Sequence, residues 1–376
     1  MRNGLFMASL LLLLYTWVGY AALLALLARC RKVRIEKRPF TPPVSIIVAA
    51  RNEEAHIRER IENLLEMDYP PEKLEILVAS DGSTDRTAET VRGFTHQRVR
   101  LLEFAGSRGR AAVHNDAAAV TRGEILVFTD AATRFDRGFL KSLLANFADA
   151  RVGCVSGIIA FRNRGATNLT QQRGLYWRYE YWLRQRESDS GVLACASGPC
   201  MAVRKELFRP LADATYDVDF ITPLDVVQAG RLVLQEPAAL SFDQMFPTPQ
   251  QELRAQVRMV ARNLGGYVDR HCLLDSPQFA WFAWSLVSHK VLRWMTPFFL
   301  LVLFASSTAL AARGGSALAL WLGQVAFYAS ALLGWRRARA HRPAWVFSAP
   351  FAFCLANAGF LFGVWKCLRN ERIVAY

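Results

Sequence analysis

The sequence predicts an α/β domain on a mostly parallel sheet, held in a membrane by one N-terminal and about three C-terminal transmembrane helices. Three observations carry this. Short β-branched runs alternate with helical stretches through the middle of the chain, long uncharged apolar runs sit only at its two ends, and basic residues cluster beside those runs. With 52% hydrophobic and 21% charged residues among 376, disorder is excluded and one or two packed domains are expected. Lys and Arg number 46 against 32 Asp and Glu, a formal charge of +14. Many of those cations flank the apolar runs, which points to a lipid surface and not to nucleic acid. The seven Cys lack C-x-x-C spacing and the six His lack H-E-x-x-H spacing, so neither a disulfide framework nor a zinc module is expected.

From Gly4 to Ala28 the chain carries no charge, and at about 1.5 Å per residue such a helix crosses a hydrocarbon core of roughly 30 Å. The run is too long for a signal-peptide core and no small-residue cleavage site follows, so a retained anchor is expected. The basic block Arg29–Arg38 places this end in the cytoplasm and the N-terminus outside. Three further spans are expected at Trp294–Ala312, Ala317–Trp335 and Trp345–Trp365. ARGGS joins the first two of these outside, and the basic loop Arg336–Arg342 joins the last two inside. That count leaves Lys366, Arg369 and Arg372 outside, against the same rule. The stretch SPQFAWFAWSLVSHKVLRW mixes Trp and Phe with His289, Lys290 and Arg293, as a helix lying along lipid headgroups would. The expected division is 1–38 anchor and basic flank, 39–272 soluble domain, 273–293 interfacial helix and 294–376 C-terminal membrane region. A transporter is not the expected reading, because the spans are few and none shows a buried charged relay.

Within the soluble domain, PVSIIVAARNEE is a strand followed by a helix with Ile57, Ile61, Leu64 and Leu65 at helical spacing. LEILVAS is a second strand ending at Asp81, with a helix starting at Ser83 or Thr84. VRLLEF is a third strand, RAAVHNDAAAV a helix, and GEILVFTD a fourth strand ending at Asp130. Such alternation means βαβ crossovers and a parallel sheet, whose ligands sit beyond the carboxyl ends of the strands. Those ends carry Arg51, Asn52 and Glu53, then Asp81, then Asp130. No G-x-G-x-x-G and no Walker A lysine follows the first strand, which excludes dinucleotide and P-loop sites.

The ordered series VSIIVAARNEE, SDGSTDRT, RGRAAVHNDA, EILVFTDAATRFD, GVLACASGPCMAVRKELF, DVDFITPLDVVQAG and QELRAQVRMVARN runs from about Pro43 to Gly266. It resembles the membrane-bound family 2 glycosyltransferases of the GT-A fold, a Rossmann-like mixed sheet, similar to cellulose, chitooligosaccharide and poly-N-acetylglucosamine synthases. One span before the domain and three after it fit the chitooligosaccharide type. The resemblance implies inverting, metal-assisted transfer of a sugar from a nucleotide-sugar donor, chiefly a UDP-sugar, to a hydroxyl of a lipid-linked or glycan acceptor. It implies a multi-pass protein of the inner (plasma) membrane with its catalytic domain in the cytoplasm.

By the same resemblance Asp81 contacts the nucleotide base or ribose, and Asn52 and Glu53 line that pocket; the local alternative for Asp81 is an Asx turn or helix cap. Asp130 opens the family's D-x-D and holds Mg2+ or Mn2+ against the diphosphate, although Ala132 stands at the third position. Arg110 pairs with the diphosphate. Asp219 is the catalytic base with Asp217 in support, a helix N-cap being the alternative. Ser197 and Gly198 in ASGPC border the acceptor. Gln256, Arg258 and Arg262 stand where processive members carry Q-x-x-R-W; the two arginines lie one turn apart, as a diphosphate clamp or as a basic face toward anionic lipid. The Trp of that motif is missing. With only four spans, this favours single addition to a lipid-linked acceptor over a short-chain processive synthase, while Ala132 keeps an inactive scaffold open. Tyr176, Trp177, Tyr179, Tyr181 and Trp182 crowd one helix near the bilayer or a sugar. Cys195 and Cys200 are expected to be small buried packing residues.

Overall fold

The computed structural model describes residues 2–163, 168–213, 216–245, 248–268, 270, 272–312, 314–340, 345–369 and 371. Its strands are β1 Val44–Ala50, β2 Leu74–Asp81, β3 Val99–Phe104, β4 Ile125–Asp130, β5 Arg134–Phe135, β6 Val152–Phe161, β7 Met201–Arg204 and β8 Leu232–Asp243. They form one sheet in the order β3-β2-β1-β4-β7-β6-β8-β5. The first four strands are mutually parallel, as the alternation of strands and helices predicts. Every residue of β1 is buried, because helices cover both faces and a strand so placed is apolar throughout. Ile47, Leu77 and Phe128 pack on one face, and Ile46, Ile76 and Val127 on the other.

β7 runs antiparallel to both β4 and β6, and β8 runs parallel to β6. Two reversals restore the direction of β1–β4, so β8 ends at the edge where β2 and β4 end, and β7 begins there. That edge therefore gathers Asp81, Asp130, Asp243 and the Gly198–Cys200 turn before β7.

The helix Ile57–Leu65 buries Ile57, Ile61 and Leu64, as its periodicity predicts, and also buries Arg60. The helix after β2 starts at Thr87 and not at Ser83 or Thr84. The reason is competition for those residues. Ser83 Oγ accepts from the Asn52 amide and the Thr84 amide donates to Asn52 Oδ1, while Asp85 Oδ1 accepts from the Thr87 amide at 3.0 Å.

Four described helices are long and apolar enough to cross a membrane: Asn3–Cys30, Pro277–Ala311, Gly315–Arg339 and Val346–Leu368. Arg313 of the ARGGS turn, His341 and Arg342 of the basic loop and Arg372 of the tail lie outside the described residues. The second of these helices includes the stretch expected to lie along headgroups, and its cations turn inward. His289 and Arg293 are buried, and His289, Lys290 and Arg293 all meet Glu180 of the helix Asn168–Asp189. These cations lie just before the expected span at Trp294, within one helix long and apolar enough to cross a membrane, and they pair with a carboxylate of the α/β domain. The fourth segment lies so close to the helix Pro249–Val268 that a Cβ at Gly359 would stand 2.5 Å from that of Gln256.

Candidate active site

The loops after β1 and β2 are tied together. Beyond the two Asn52–Ser83–Thr84 bonds, the Glu53 amide donates to Thr87 Oγ1 at 2.8 Å. Asn52 holds φ 56, a left-handed conformation that asparagine tolerates. Its side chain is therefore engaged in shaping the loop, and the Glu53 carboxylate meets His56 Nδ1 at 2.9 Å. Asp81 has no exposed surface; its carboxylate accepts from Ser107 Oγ at 2.9 Å, the Arg108 amide at 2.6 Å and the Gly109 amide at 3.1 Å. A buried carboxylate needs such donors. Here they hold the loop that leads into Arg110.

Arg110 opens the helix Arg110–Val120 and pairs with Asp130, both side chains about a third exposed. The parallel register sets Asp130 beside Ala49 at the end of β1. Ala132 is exposed and offers no donor. A second carboxylate comes instead from Asp243 at the end of β8, which accepts from the Gln244 amide at 2.7 Å and Thr133 Oγ1 at 3.3 Å. Burial, together with the negative charge of Asp130, pushes the Asp243 carboxyl above its ordinary value. Behind them Arg60, 1% exposed, donates to Thr129 Oγ1 at 2.7 Å, and burial lowers its guanidinium to about 9 against the pull of Asp130 and Asp243. Neither Asp243 nor Arg60 was found from the sequence. The signal for Asp243 was there: LSFD ends its strand on aspartate as VASD and VFTD do. Arg60 gave none, since it looks like one more charge on an amphipathic helix.

Asp219, in the first turn of the helix Val218–Gln228, lines a cavity of 320 Å³ with Asp217, Gly198, Arg110, Arg258 and Arg262. The Gly198 amide donates to Asp219 Oδ2 at 3.1 Å and the Ala196 amide to its carbonyl at 2.9 Å. Burial, then repulsion from Asp217, raises the Asp219 carboxyl to about 6, with Arg110 pulling the other way. Arg262 is buried and donates to Asp217 Oδ1 at 3.0 Å, so one arm of the expected diphosphate clamp holds a carboxylate. Arg258 lines the same cavity. Ser197 is buried away from that cavity, its Oγ accepting from Arg184 at 2.9 Å and its amide donating to Ser156 Oγ at 2.9 Å. Cys195 and Cys200 are buried. Among the described residues no group of three His, Cys, Asp or Glu forms a ready metal cage. One cavity thus gathers Asp219, its carboxyl raised to about 6, with Arg110, Arg258 and Arg262, and Arg110 links it to Asp130.

Residues 45–211 match the family described as glycosyl transferase family 2, and the mixed sheet with its helices has the GT-A fold. A beta-monoglucosyldiacylglycerol synthase of Nostoc sp. is 28% identical over 197 residues, covering 51% of this chain and 42% of that protein. An N-acetylglucosaminyltransferase of Azorhizobium caulinodans is 29% identical over 182 residues, covering 46% of this chain and 45% of that protein. The match thus spans less than half the length of these curated relatives. A mannosyltransferase from Pyrobaculum calidifontis, solved in complex with GDP-Man and Mn2+, shares the fold at a TM-score of 0.74 and 23% identity, covering 98% of this chain and 99% of its own.

Proposed function

We propose that this chain is an inverting glycosyltransferase that moves a sugar from a nucleotide-sugar, most simply a UDP-sugar, onto a hydroxyl of a membrane-held acceptor. The observation that carries the reading is Asp219, raised to about 6, in one cavity with Arg110 and Arg258. The acceptor oxygen attacks the anomeric carbon while the bond from that carbon to the diphosphate breaks, its electron pair leaving with the diphosphate. The acceptor proton passes to the Asp219 carboxylate. A single base opposite cations that meet the leaving group suits one displacement with inversion.

Arg110 and Arg258 bind the diphosphate, and Arg262 holds Asp217 beside the base. Two crowded carboxylates, Asp130 and Asp243, fit a hard divalent cation, Mg2+ or Mn2+, and supply the oxygen donors that Ala132 does not. When bound, such an ion neutralises charge on the departing diphosphate. The similarity to the Nostoc beta-monoglucosyldiacylglycerol synthase supports a lipid acceptor. The basic block Arg29–Arg38 supports an inner-membrane protein with this domain on the cytoplasmic side.

The test is Asp219→Asn. Nucleotide-sugar binding by calorimetry is expected to stay within about twofold, while transfer falls by on the order of 10²–10⁴. Near-normal turnover in this variant would remove Asp219 from the role of base.

A further inference from the structure

Beside the catalytic cavity lies a second one of 210 Å³, enclosed by the first and fourth membrane-spanning segments, the aromatic helix Asn168–Asp189 and the helix Pro249–Val268. Trp17, Phe353, Ala356 and Phe360 give it an apolar wall. Trp177, Glu252 and Gln256 line both cavities, so the two meet at these residues. The space exceeds the roughly 150 Å³ apolar cavity that takes up benzene, and so accommodates a stretch of hydrocarbon chain.

Its wall also carries polar atoms. Asn357 is buried on the fourth segment; its amide nitrogen donates to the Phe353 carbonyl at 2.9 Å, while its Oδ1 has no partner among the described residues. Gln256 donates to Glu252 Oε1 at 3.0 Å and likewise leaves Oε1 without a partner, as Trp17 leaves its indole N–H. Buried polar atoms without hydrogen bonds cost free energy that a ligand with matching groups removes. An apolar chamber among these helices, with donors and acceptors in its wall and an end that meets the Asp219 cavity at Trp177, Glu252 and Gln256, matches a molecule with a hydrocarbon tail and a hydroxyl-bearing neck.

We infer that this cavity binds the acyl chain and neck of a membrane lipid acceptor, threading its hydroxyl toward Asp219. The inference rests on the glycosyl-transfer reading above and adds the class of acceptor and the place where its chain lies. Aromatic walls also suit a sugar chain, but a glycan would need polar groups along its whole length, and the wall from Phe353 to Phe360 has Asn357 as its polar member.

The experiment uses the full chain in phosphatidylcholine vesicles with a diazirine-bearing diacylglycerol as probe. After irradiation, adducts are mapped by mass spectrometry. They are expected to concentrate at Trp17 and at residues 349–360, to be displaced by unlabelled diacylglycerol, and to fall at least fivefold in Ala356→Trp. Ala352→Trp is the second cavity-filling variant, and folding of both is checked by thermal unfolding. Asp219→Asn is expected to keep the labelling while losing transfer. Even labelling that also covers lipid-facing positions such as Leu320 and Leu322, unchanged in whichever tryptophan variants fold, overturns the proposal. Displacement by a water-soluble oligosaccharide as strong as by diacylglycerol overturns it in favour of a glycan path. Cavity labelling with no nucleotide-sugar binding overturns the acceptor role through the reading beneath it, whereas hydrolysis of the donor with even labelling overturns the cavity assignment alone.

Discussion

Asp219 sits in the first turn of a helix, where a carboxylate is ordinarily stabilised as an anion, yet its proton comes off near 6 because burial and Asp217 outweigh that help. In the base role proposed for it Asp219 must be ionised to work, so kcat/KM is expected to rise with pH through about 6 and level above it. Replacing Asp217 with Asn removes the repulsion and should move that limb to lower pH; an unmoved limb would show that Asp217 has no electrostatic part in tuning the base. The sign for stability is opposite to that for rate. The folded-state value lies above the ordinary 3.8, so folding favours the protonated form and Asp219 contributes less stability as pH rises through that interval. The second residue-scale prediction concerns Asp243. If it is the partner of Asp130, Asp243→Asn should weaken Mn2+-dependent donor binding by about 1–2 kcal/mol, within the range of a charged hydrogen bond or close ion contact. Calorimetry with and without the ion measures this, and equal affinities in the variant and the parent would leave Asp130 as the ligand without Asp243.

At the scale of elements, the junction after β2 decides where the arginine of the site stands. Gly82 has φ 61, and a Cβ there would lie 2.5 Å from the Gly106 carbonyl carbon, in the loop that Asp81 gathers. Gly82→Ala combines a left-handed backbone with a main-chain clash, expected to cost about 1–3 kcal/mol and to displace Arg110. Its thermal midpoint should fall by several degrees and donor affinity should fall with it; a midpoint within one degree of the parent would rule out the strain. The four parallel strands were legible because each is an apolar run closed by polar residues. β6 to β8 were not, since which way a strand runs against its neighbour is not written in its own composition. The start of the helix after β2 was misplaced for a related reason: Ser83 and Thr84 are good caps in isolation, but Asn52, distant in sequence, claims them.

For the molecule as a whole, the long apolar helices and the α/β domain are joined by buried charge. Tyr20 Oη of the first segment donates to Glu187 Oε1 at 2.6 Å, and His289 Nδ1 meets the same oxygen at 2.6 Å. Glu180 receives Arg293 at 2.6 Å, Lys290 at 3.1 Å and Arg184 at 3.0 Å. Burial works to raise the Glu180 carboxyl, but the surrounding cations prevail and hold it well below the ordinary carboxylate range. Through Arg184 the network reaches Ser197, next to the Gly198 amide that holds Asp219. Glu180→Gln leaves several cations underpaired and is expected to cost about 3–5 kcal/mol. Thermal unfolding in detergent checks this; a loss under 1 kcal/mol would mean that packing alone holds the two parts together.

Composition and pattern were enough to read an α/β domain with acidic residues at strand ends, flanked by helices long and apolar enough to cross a membrane, because hydrophobic period and span length are local properties of the chain. The ordered motifs carried the family resemblance in the same way. What folding alone decided is how those acids are divided. The reversal at β7 carries Gly198 to the edge beside Asp130, β8 brings Asp243 to complete a carboxylate pair, and Asp81 is turned inward to build a loop. Such roles depend on distances between residues far apart in sequence, and on burial that sets which carboxylate keeps its proton.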